Sequence, residues 1–460
     1  AQIVSTRLVA DLETPVSAML KLTRNVKYSF LLESVEGGAV RGRYSIIGMN
    51  PDLIWKVERS SASLNRRALH NPDGPFETLS LAPLESLRAV LAESRIALPH
   101  DAPPMAAGVF GYIGYDMVRL MEELPEPNPD SLGLPDGMMI RPTVMAIFDS
   151  VRDEVTVTSP VYFENGVSAK AAYARAQERI AEVVDALDRP LDHRATQDSG
   201  APPIAANSSN TTPEEYSGMI AAAKDYIAAG DIFQVVLSQR FETNFTLPPF
   251  ALYRSLRRVN PSPFLYYLDF DAFAVIGSSP EILVRVRDGK VTIRPIAGTR
   301  RRGQTPAEDL ALAAELLADP KECAEHLMLL DLGRNDVGRV AEIGSIKVTE
   351  KFMIENYSHV MHIVSNVEGR LAPKYDVIDA LVAGFPAGTV SGAPKVRAME
   401  IIDELEKSKR GVYGGCVGYF SADGEMDTCI VLRTAIVKDG KMYVQAGAGI
   451  VADSVAESEQ

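Results

Sequence analysis

Downstream of residue 212 the apolar positions fall at helical spacing. Thr212 stands as a cap, Pro213 takes the first helical position, and Glu214 and Glu215 fill the first turn. Tyr216, Met219, Ile220, Ala223 and Ile227 then recur at i, i+3, i+4 and i+7, the spacing of one buried face, until Gly230 closes the segment. Further on the period drops to two. FAVIGSS (273–279) and EILVRVRDGKVTIRPIAG (281–298) alternate as strands, with Asp288-Gly289 placed for a type I′ hairpin turn. Helices are expected over 307–319 and through EHLMLLDL (325–332). HVMHIVSNVEG (359–369) reads as a strand, and VSGAPKVRAMEIIDELE (390–406) as a helix with Ser391 and Pro394 at its start. Strands are expected again at 416–421, 429–437 and 441–446.

The first part of the chain carries a similar mixture. YSFLLESV, YSIIGM and VMAIF alternate like strands, and YARAQERIAEVVDAL has helical spacing. Between the two parts, residues 188–215 are rich in Pro, Ser, Asn, Thr and Ala and poor in large apolar residues, so they supply little core. This divides the chain into an N-terminal region (1–187), a linker or mobile loop (188–212) and a C-terminal domain (213–460). Long antiparallel runs mixed with helices argue an α+β fold of sheets packed against helices, not a βαβ array.

Charge and composition narrow the function. The 460-residue chain has a formal net charge of −14, which argues against a nucleic-acid backbone or an anionic membrane as main partner. The 3 cysteines, Cys323, Cys416 and Cys429, form no CxxC pair, as expected of a reducing compartment. With no long apolar run and no leader-like start, a cytoplasmic protein is expected. Nucleophile-elbow, HExxH, P-loop and His/Cys metal signatures are all absent, and with them the usual footprints of covalent hydrolysis, zinc chemistry and ATP-driven phosphoryl transfer.

Several stretches could carry other chemistry. PIAGTRRRG (295–303) is either a solvated basic turn or one wall of an anion site, with Gly298 allowing close backbone approach and Thr299 offering a hydroxyl. FPAGTVSGAPK (385–395) is a Gly-rich loop before a helix, centred on Thr389, which is either a plain cap or an amide-lined anion pocket. QAGAGIVA (445–452) has a dinucleotide-like spacing, but too little chain follows it for a βαβ unit. A Gly447-Ala448-Gly449 strand end presenting bare amides is the better reading. Glu325, with Glu457 and Glu459 at the chain's end, could serve Mg²⁺, which needs only one or two carboxylates besides water and substrate oxygens. Glu281 opens a strand next to Ser278-Ser279-Pro280, His362 lies on a strand, and Tyr413 and Arg433 flank a hairpin. Arg433 alternates with Cys429 and Val431, and an arginine on an apolar face requires an anion beside it.

Taken in order, DIFQVVLSQRF, SSPEILVR, PIAGTRRRG, AEHLMLLDLGRNDVGRV, YSHVMHIVSNVEG, FPAGTVSGAPKVRAMEII, GVYGGCVGYF, DTCIVLRTA and QAGAGIVADSVAESE resemble the chorismate-utilising enzymes over residues 215–460. The resemblance implies a sandwich of large sheets with helices outside. It assigns chorismate to Gln234, Gly298, Thr299, Tyr413, Arg433 and Gly447 to Gly449, and Mg²⁺ to Glu325 and Glu459. It makes Glu281 the acid for departure of the C4 hydroxyl, lines the site with Thr389 and His362, and gives His362 the later elimination. Water-adding members carry a lysine at the position of Gln234, and another branch carries one at the position of Ala297. With an amide and a methyl there, free ammonia is the implied nucleophile at C2.

LLESVEGGAVRGRYSIIG resembles the feedback segment of the large subunit of the anthranilate-forming branch, in which Glu33, Ser34, Pro261, Ser262 and Pro263 would bind tryptophan. The implied reaction takes chorismate and ammonia to anthranilate and pyruvate, with a separate glutaminase subunit supplying ammonia in a hetero-oligomer. The alternatives are an enzyme that stops at aminodeoxyisochorismate, or a non-catalytic tryptophan-binding relative. The family pattern also leads one to expect a further metal-binding glutamate about three residues beyond Glu459, past the end of this sequence.

Overall fold

The helix after Thr212 spans Pro213–Ala229 in the computed structural model of the chain, which describes residues 2–24, 26–36, 40–103, 105–191, 207–357 and 359–459. Thr212 and Glu215 form a reciprocal capping box, with Glu215 N donating to Thr212 Oγ1 at 3.2 Å and Thr212 N donating to Glu215 Oε2 at 2.8 Å. The 281–298 segment turns where expected, with Asp288 and Gly289 both left-handed (φ 51° and 70°) and Arg287 opposite Lys290. Most of the linker assigned to 188–212 lies outside the described residues. From Ser208 on, the chain is already paired, Ser208–Ser209 lying against Phe241 and Glu242.

Two antiparallel sheets are woven from both parts of the sequence. One runs Gln234–Asn244, Lys441–Ile450, Thr434–Lys438, Phe273–Ser279, Phe264–Asp269, Ser29–Glu36, Val40–Glu58, Gly137–Asp149, Glu154–Val161, Gln2–Val9. The other starts from the first residues of the same Gly137–Asp149 strand and runs Gly108–Ile113, Cys416–Ser421, Met426–Ile430, Ile282–Arg287, Lys290–Ile293, Val360–Arg370. Ile296–Arg301 and Lys347–Asn356 pair with this last strand. Strands of the N-terminal region are thus laddered directly to strands of the C-terminal one.

The sheets close over Phe30, Phe110, Tyr112, Tyr266, Val275, Val417, Tyr419 and Ile436. Phe30 and Phe110 stack with ring centroids 4.6 Å apart. Each such side chain contributes on the order of 1.5–3 kcal/mol when fully removed from water. Helices cover the outer faces: Pro15–Leu22, Ala169–Leu187 and Pro249–Val259 on the first sheet, Pro83–Glu93, Pro320–Gly338 and Val377–Gly384 on the second. Cys323, Cys416 and Cys429 are free thiols, and no described helix is long and apolar enough to cross a membrane.

Two expectations change. The strand expected over 429–437 is two strands, Met426–Ile430 and Thr434–Lys438, and Arg433 lies between them with φ 49°. The reason is topological: Met426–Ile430 pairs with Ile282–Arg287 in one sheet and Thr434–Lys438 with Phe273–Ser279 in the other, so residues 431–433 carry the chain across. The helix expected over 390–406 spans only Lys395–Leu405. Gly392 and Ala393 are drawn into a two-residue ladder with Val235 and Gln234, and a Cβ at Gly392 (φ 137°) would stand 2.2 Å from Gln234 O.

Behind these crossings lies a buried ion pair. Arg410 Nη2 donates to Glu406 Oε1 at 2.6 Å, while Arg410 also donates to Val390 O at 2.6 Å and Val236 O at 2.7 Å. Glu406 Oε1 accepts from Ser238 N and Ser238 Oγ, each at 2.8 Å. Removing one partner strands the other charge in the interior. Glu406→Ala should therefore cost about 3–5 kcal/mol of unfolding free energy, read from the urea midpoint. A loss below about 1 kcal/mol would mean the pair is dispensable.

Candidate active site

The site forms where the two sheets and the Gly-rich loops converge. Gln234, at the first position of Gln234–Asn244, is buried and donates from Nε2 to Glu325 Oε1 at 3.3 Å, while its Oε1 is buried without a partner. Opposite it runs Gly447-Ala448-Gly449, paired with Ser238, Leu237 and Val236. Thr434–Lys438 covers the far edge of that strand only as far as Val444, so beyond it the outward amides have no strand partner. The glycines are needed for space: a Cβ at Gly449 would stand 2.4 Å from Gln234 Nε2, and one at Gly447 2.9 Å from Tyr413 Oη.

Glu281 occupies the corner between Phe273–Ser279 and Ile282–Arg287 and is buried. Thr389 Oγ1 donates to its Oε1 at 3.2 Å. Burial pushes the Glu281 carboxyl up to about 8, against the hydrogen bonds from Thr389 and the Ile296 amide and the charge of Arg433. At neutral pH this carboxyl keeps its proton and can act as an acid. Arg433, exposed at the crossing between the sheets, makes no side-chain hydrogen bond or ion pair among the described residues, and desolvation lowers its pKa. Its expected place on a strand is replaced by this turn, which frees the guanidinium for an anion.

On Val360–Arg370, His362 lies opposite Thr299. Its Nδ1 is 3.1 Å from Gly298 O and 3.0 Å from Thr299 Oγ1. A carbonyl only accepts, so Nδ1 carries the proton and Nε2 keeps its lone pair. Burial lowers the His362 pKa, so the ring is neutral and Nε2 is a base. The Gly298 carbonyl is turned by a bulge in the ladder between Ala297 and Thr299, at which Gly298 has φ 75°.

The arginines of the 295–303 turn are not an anion site. Arg300 is bonded to Asp319, Glu322 and Glu315, Arg301 to Glu308, and Arg302 to Asp309. The two helices that follow, Pro306–Ala318 and Pro320–Gly338, and the junction between them carry the acids that neutralise them. What the turn contributes is Gly298 and Thr299.

Glu325 lies on Pro320–Gly338, and its carboxyl is raised first by burial and then by the charges of Glu322 and Glu459. Glu459 ends the helix Ala456–Glu459. Among the described residues no three His, Cys, Asp or Glu groups converge as a ready metal cage. A half-buried carboxylate with other carboxylates beside it fits a hard divalent cation that takes its remaining oxygens from water and ligand. Glu322, three residues before Glu325 and so on the same helix face, was missed in the sequence although that spacing could have signalled it. Tyr357, whose ring packs against that of His362, was missed as well, and no spacing rule pointed to it.

A cavity of about 1070 Å³ reaches from Ser34, Tyr44 and Pro263 to Ile296, Glu355 and Tyr357. Ser34 pairs with Phe264, which brings the LLES stretch beside Pro261, Ser262 and Pro263. Glu33 is not a free carboxylate: it accepts from Arg257 at 2.6 Å and 2.7 Å and from Tyr253 Oη at 2.6 Å.

A family model described as chorismate binding enzyme matches residues 51–460. The anthranilate synthase component 1 of Cereibacter sphaeroides is 60% identical over 459 residues, spanning 100% of this chain and 91% of that relative. The anthranilate synthase component 1 of Aquifex aeolicus is 46% identical over 454 residues, spanning 99% and 90%. Among solved structures, anthranilate synthase component I from Streptococcus pneumoniae superposes with a TM-score of 0.82 at 39% identity, covering 99% of this chain and 96% of that one. The menaquinone-specific isochorismate synthase of Escherichia coli shares the fold, with a TM-score of 0.74 at 20% identity.

The Glu281 environment has a direct spectroscopic consequence. A protonated carboxyl C=O band, absent in Glu281→Gln, should fade in infrared difference spectra as pH rises through about 8. Thr389→Val removes a donor that favours the ionised form, so the band should persist to higher pH. A Glu281 band lost near the usual carboxylate range would contradict the burial argument.

Proposed function

The chain belongs to the chorismate binding enzyme family, and from that premise we propose that it is an aminating chorismate enzyme, the large component of an anthranilate synthase, converting chorismate and ammonia to anthranilate and pyruvate. The observation that carries the reading is Glu281, held by Thr389, and His362, held through Nδ1 by Gly298 O, both beside Arg433, with burial favouring the neutral form of each, where position 234 holds an amide and position 297 a methyl. An amide takes no proton near neutral pH, so Gln234 cannot activate water, and a methyl offers no amine to the ring. Free ammonia remains as the nucleophile.

Chorismate brings two carboxylates, for which Arg433 and the unpaired amides of Gly447 to Gly449 are suited. Ammonia bonds to C2, the ring double bonds shift, and the C4 hydroxyl departs as water with the proton of Glu281. In the second step His362 Nε2 takes the C2 proton, the C3–O bond breaks, and the side chain leaves to become pyruvate as the ring turns aromatic. Thr389 holds the Glu281 carboxyl in place. Gln234, tied to Glu325, fills the position at which water-adding members of the family carry a base. Glu325 and Glu459, with Glu322 beside them, would hold Mg²⁺, whose charge would offset that of a bound carboxylate.

Ammonia would come from a separate glutamine amidotransferase subunit. The cavity along Ser34, Tyr44 and Pro263 would take tryptophan as a feedback ligand, its ammonium meeting polar groups there rather than Glu33, which Arg257 already neutralises. Such a ligand alters turnover only by favouring one arrangement of the protein over another.

With chorismate, Mg²⁺ and ammonium, the isolated chain should release fluorescent anthranilate and pyruvate, glutamine alone should not suffice, and EDTA should abolish turnover reversibly. His362→Met should accumulate the amino intermediate. Wild-type protein that stops at this intermediate would instead establish the alternative chemistry. Ser34→Phe should block the Ser34 end of the cavity and raise the tryptophan concentration for half-inhibition while keeping uninhibited turnover within about threefold, because Ser34 lies outside the chemistry. Unchanged half-inhibition would place the effector elsewhere.

A further inference from the structure

Tyr357 stands between the large cavity and His362. It is 4% exposed, and its ring meets the imidazole with centroids 5.3 Å apart at an interplanar angle of 66°. Three bonds fix it: Oη donates to Glu355 Oε2 at 3.0 Å, N donates to Val360 O at 2.8 Å, and its carbonyl accepts from Arg302 Nη1 at 2.7 Å. Glu355 is in turn held by Arg294 Nη2 at 2.5 Å, and Arg294, Glu355 and Tyr357 all line the cavity. One side of the tyrosine is cavity wall and the other bears on the imidazole.

Among the described residues, the other side-chain anchors of the imidazole are the Nδ1 bonds to Gly298 O and Thr299 Oγ1. Those bonds lie on one edge of the ring and limit its rotation about the Cβ–Cγ bond from that side. An aromatic ring packed at a steep angle on the imidazole limits it further. A base must hold its lone pair within a narrow range of the proton it abstracts, and tilting costs rate even when the base is present.

We propose that Tyr357 is a positioning residue for His362, its ring holding the imidazole with Nε2 toward the cleft and its hydroxyl bracing that ring through Glu355 and Arg294. The inference rests on the role of His362 in the second step of the proposed reaction. It assigns Tyr357 to that step and not to the addition of ammonia, in which His362 takes no part.

The test compares Tyr357→Leu, which removes the ring, with Tyr357→Phe, which keeps it and removes the bond to Glu355. Chorismate consumption and the ratio of released amino intermediate to anthranilate are followed by chromatography, with Mg²⁺ and ammonium present. Tyr357→Leu should keep chorismate consumption within about threefold and raise the released intermediate at least about tenfold. Tyr357→Phe should show a smaller rise of the same kind. Equal slowing of both steps, or an unchanged product ratio in a folded variant, would overturn the assignment.

If Tyr357→Leu does not fold, wild-type protein with ¹⁵N-labelled histidine decides. The Nδ1–H tautomer of His362 should dominate at pH 7, and Tyr357→Phe should broaden that signal. An Nε2–H tautomer in wild type, or an unaltered signal in Tyr357→Phe, would overturn the proposal. Absence of anthranilate from the wild type is a different failure, since it removes the reaction itself.

Discussion

The Glu406–Arg410 pair ties the Gly-rich loop to the strand that forms one wall of the cleft. Arg410 is bonded to Val390 in the Gly-rich loop and to Val236 on the strand that begins with Gln234, and Glu406 holds Ser238 two residues further along. The guanidinium also lies over the rings of Tyr115 (4.7 Å) and Tyr413 (5.5 Å). A buried charge tolerates little displacement, because each lost bond leaves a polar group in a medium where it cannot find water. Gln234, Thr389 and Tyr413 therefore inherit fixed positions from a pair that touches no substrate.

That rigidity lets neighbouring groups take opposite protonation states at one pH. Glu281 and His362 are both shifted by burial, but burial disfavours charge on each: the carboxyl is raised and the imidazole lowered. A solvated cleft would leave the acid ionised. The same desolvation acts on Arg433, which keeps its charge because a guanidinium does not deprotonate in a protein, and so it awaits an anion. One cause thus acts on three side-chain chemistries with different results.

Charge elsewhere is self-contained. The basic turn 300–302 is answered by acids of the helices beginning at Pro306 and Pro320, which leaves the net negative surface without a free arginine cluster there. Glu33 is answered by Arg257 across the seam between the N-terminal and C-terminal parts, so this contact ties the two regions together. The strand pairing Ser29–Glu36 to Phe264–Asp269 does the same through the backbone. The cavity beside it is thus walled by both regions, which is what a ligand needs if it is to sense their arrangement.

Local chemistry determined much of this protein before any folding was considered. The capping box at Thr212, the Asp288-Gly289 turn and the alternating strands depend on residues close in sequence, and each appears where its pattern placed it. The reading of Gln234 and Ala297 came from the resemblance to the family, whose other branches carry lysines at those two positions. Tertiary structure alone decided the break at Arg433, since a chain that must cross from one sheet to the other gives no local sign of it. It also withdrew Gly392 and Ala393 from the helix expected there, because a distant strand offered their backbone a ladder. The pairing of Tyr357 with His362 and the sealing of Arg410 against Glu406 also came only with the fold. Burial and orientation belong to the surroundings of a side chain, and those are assembled from segments far apart in the sequence.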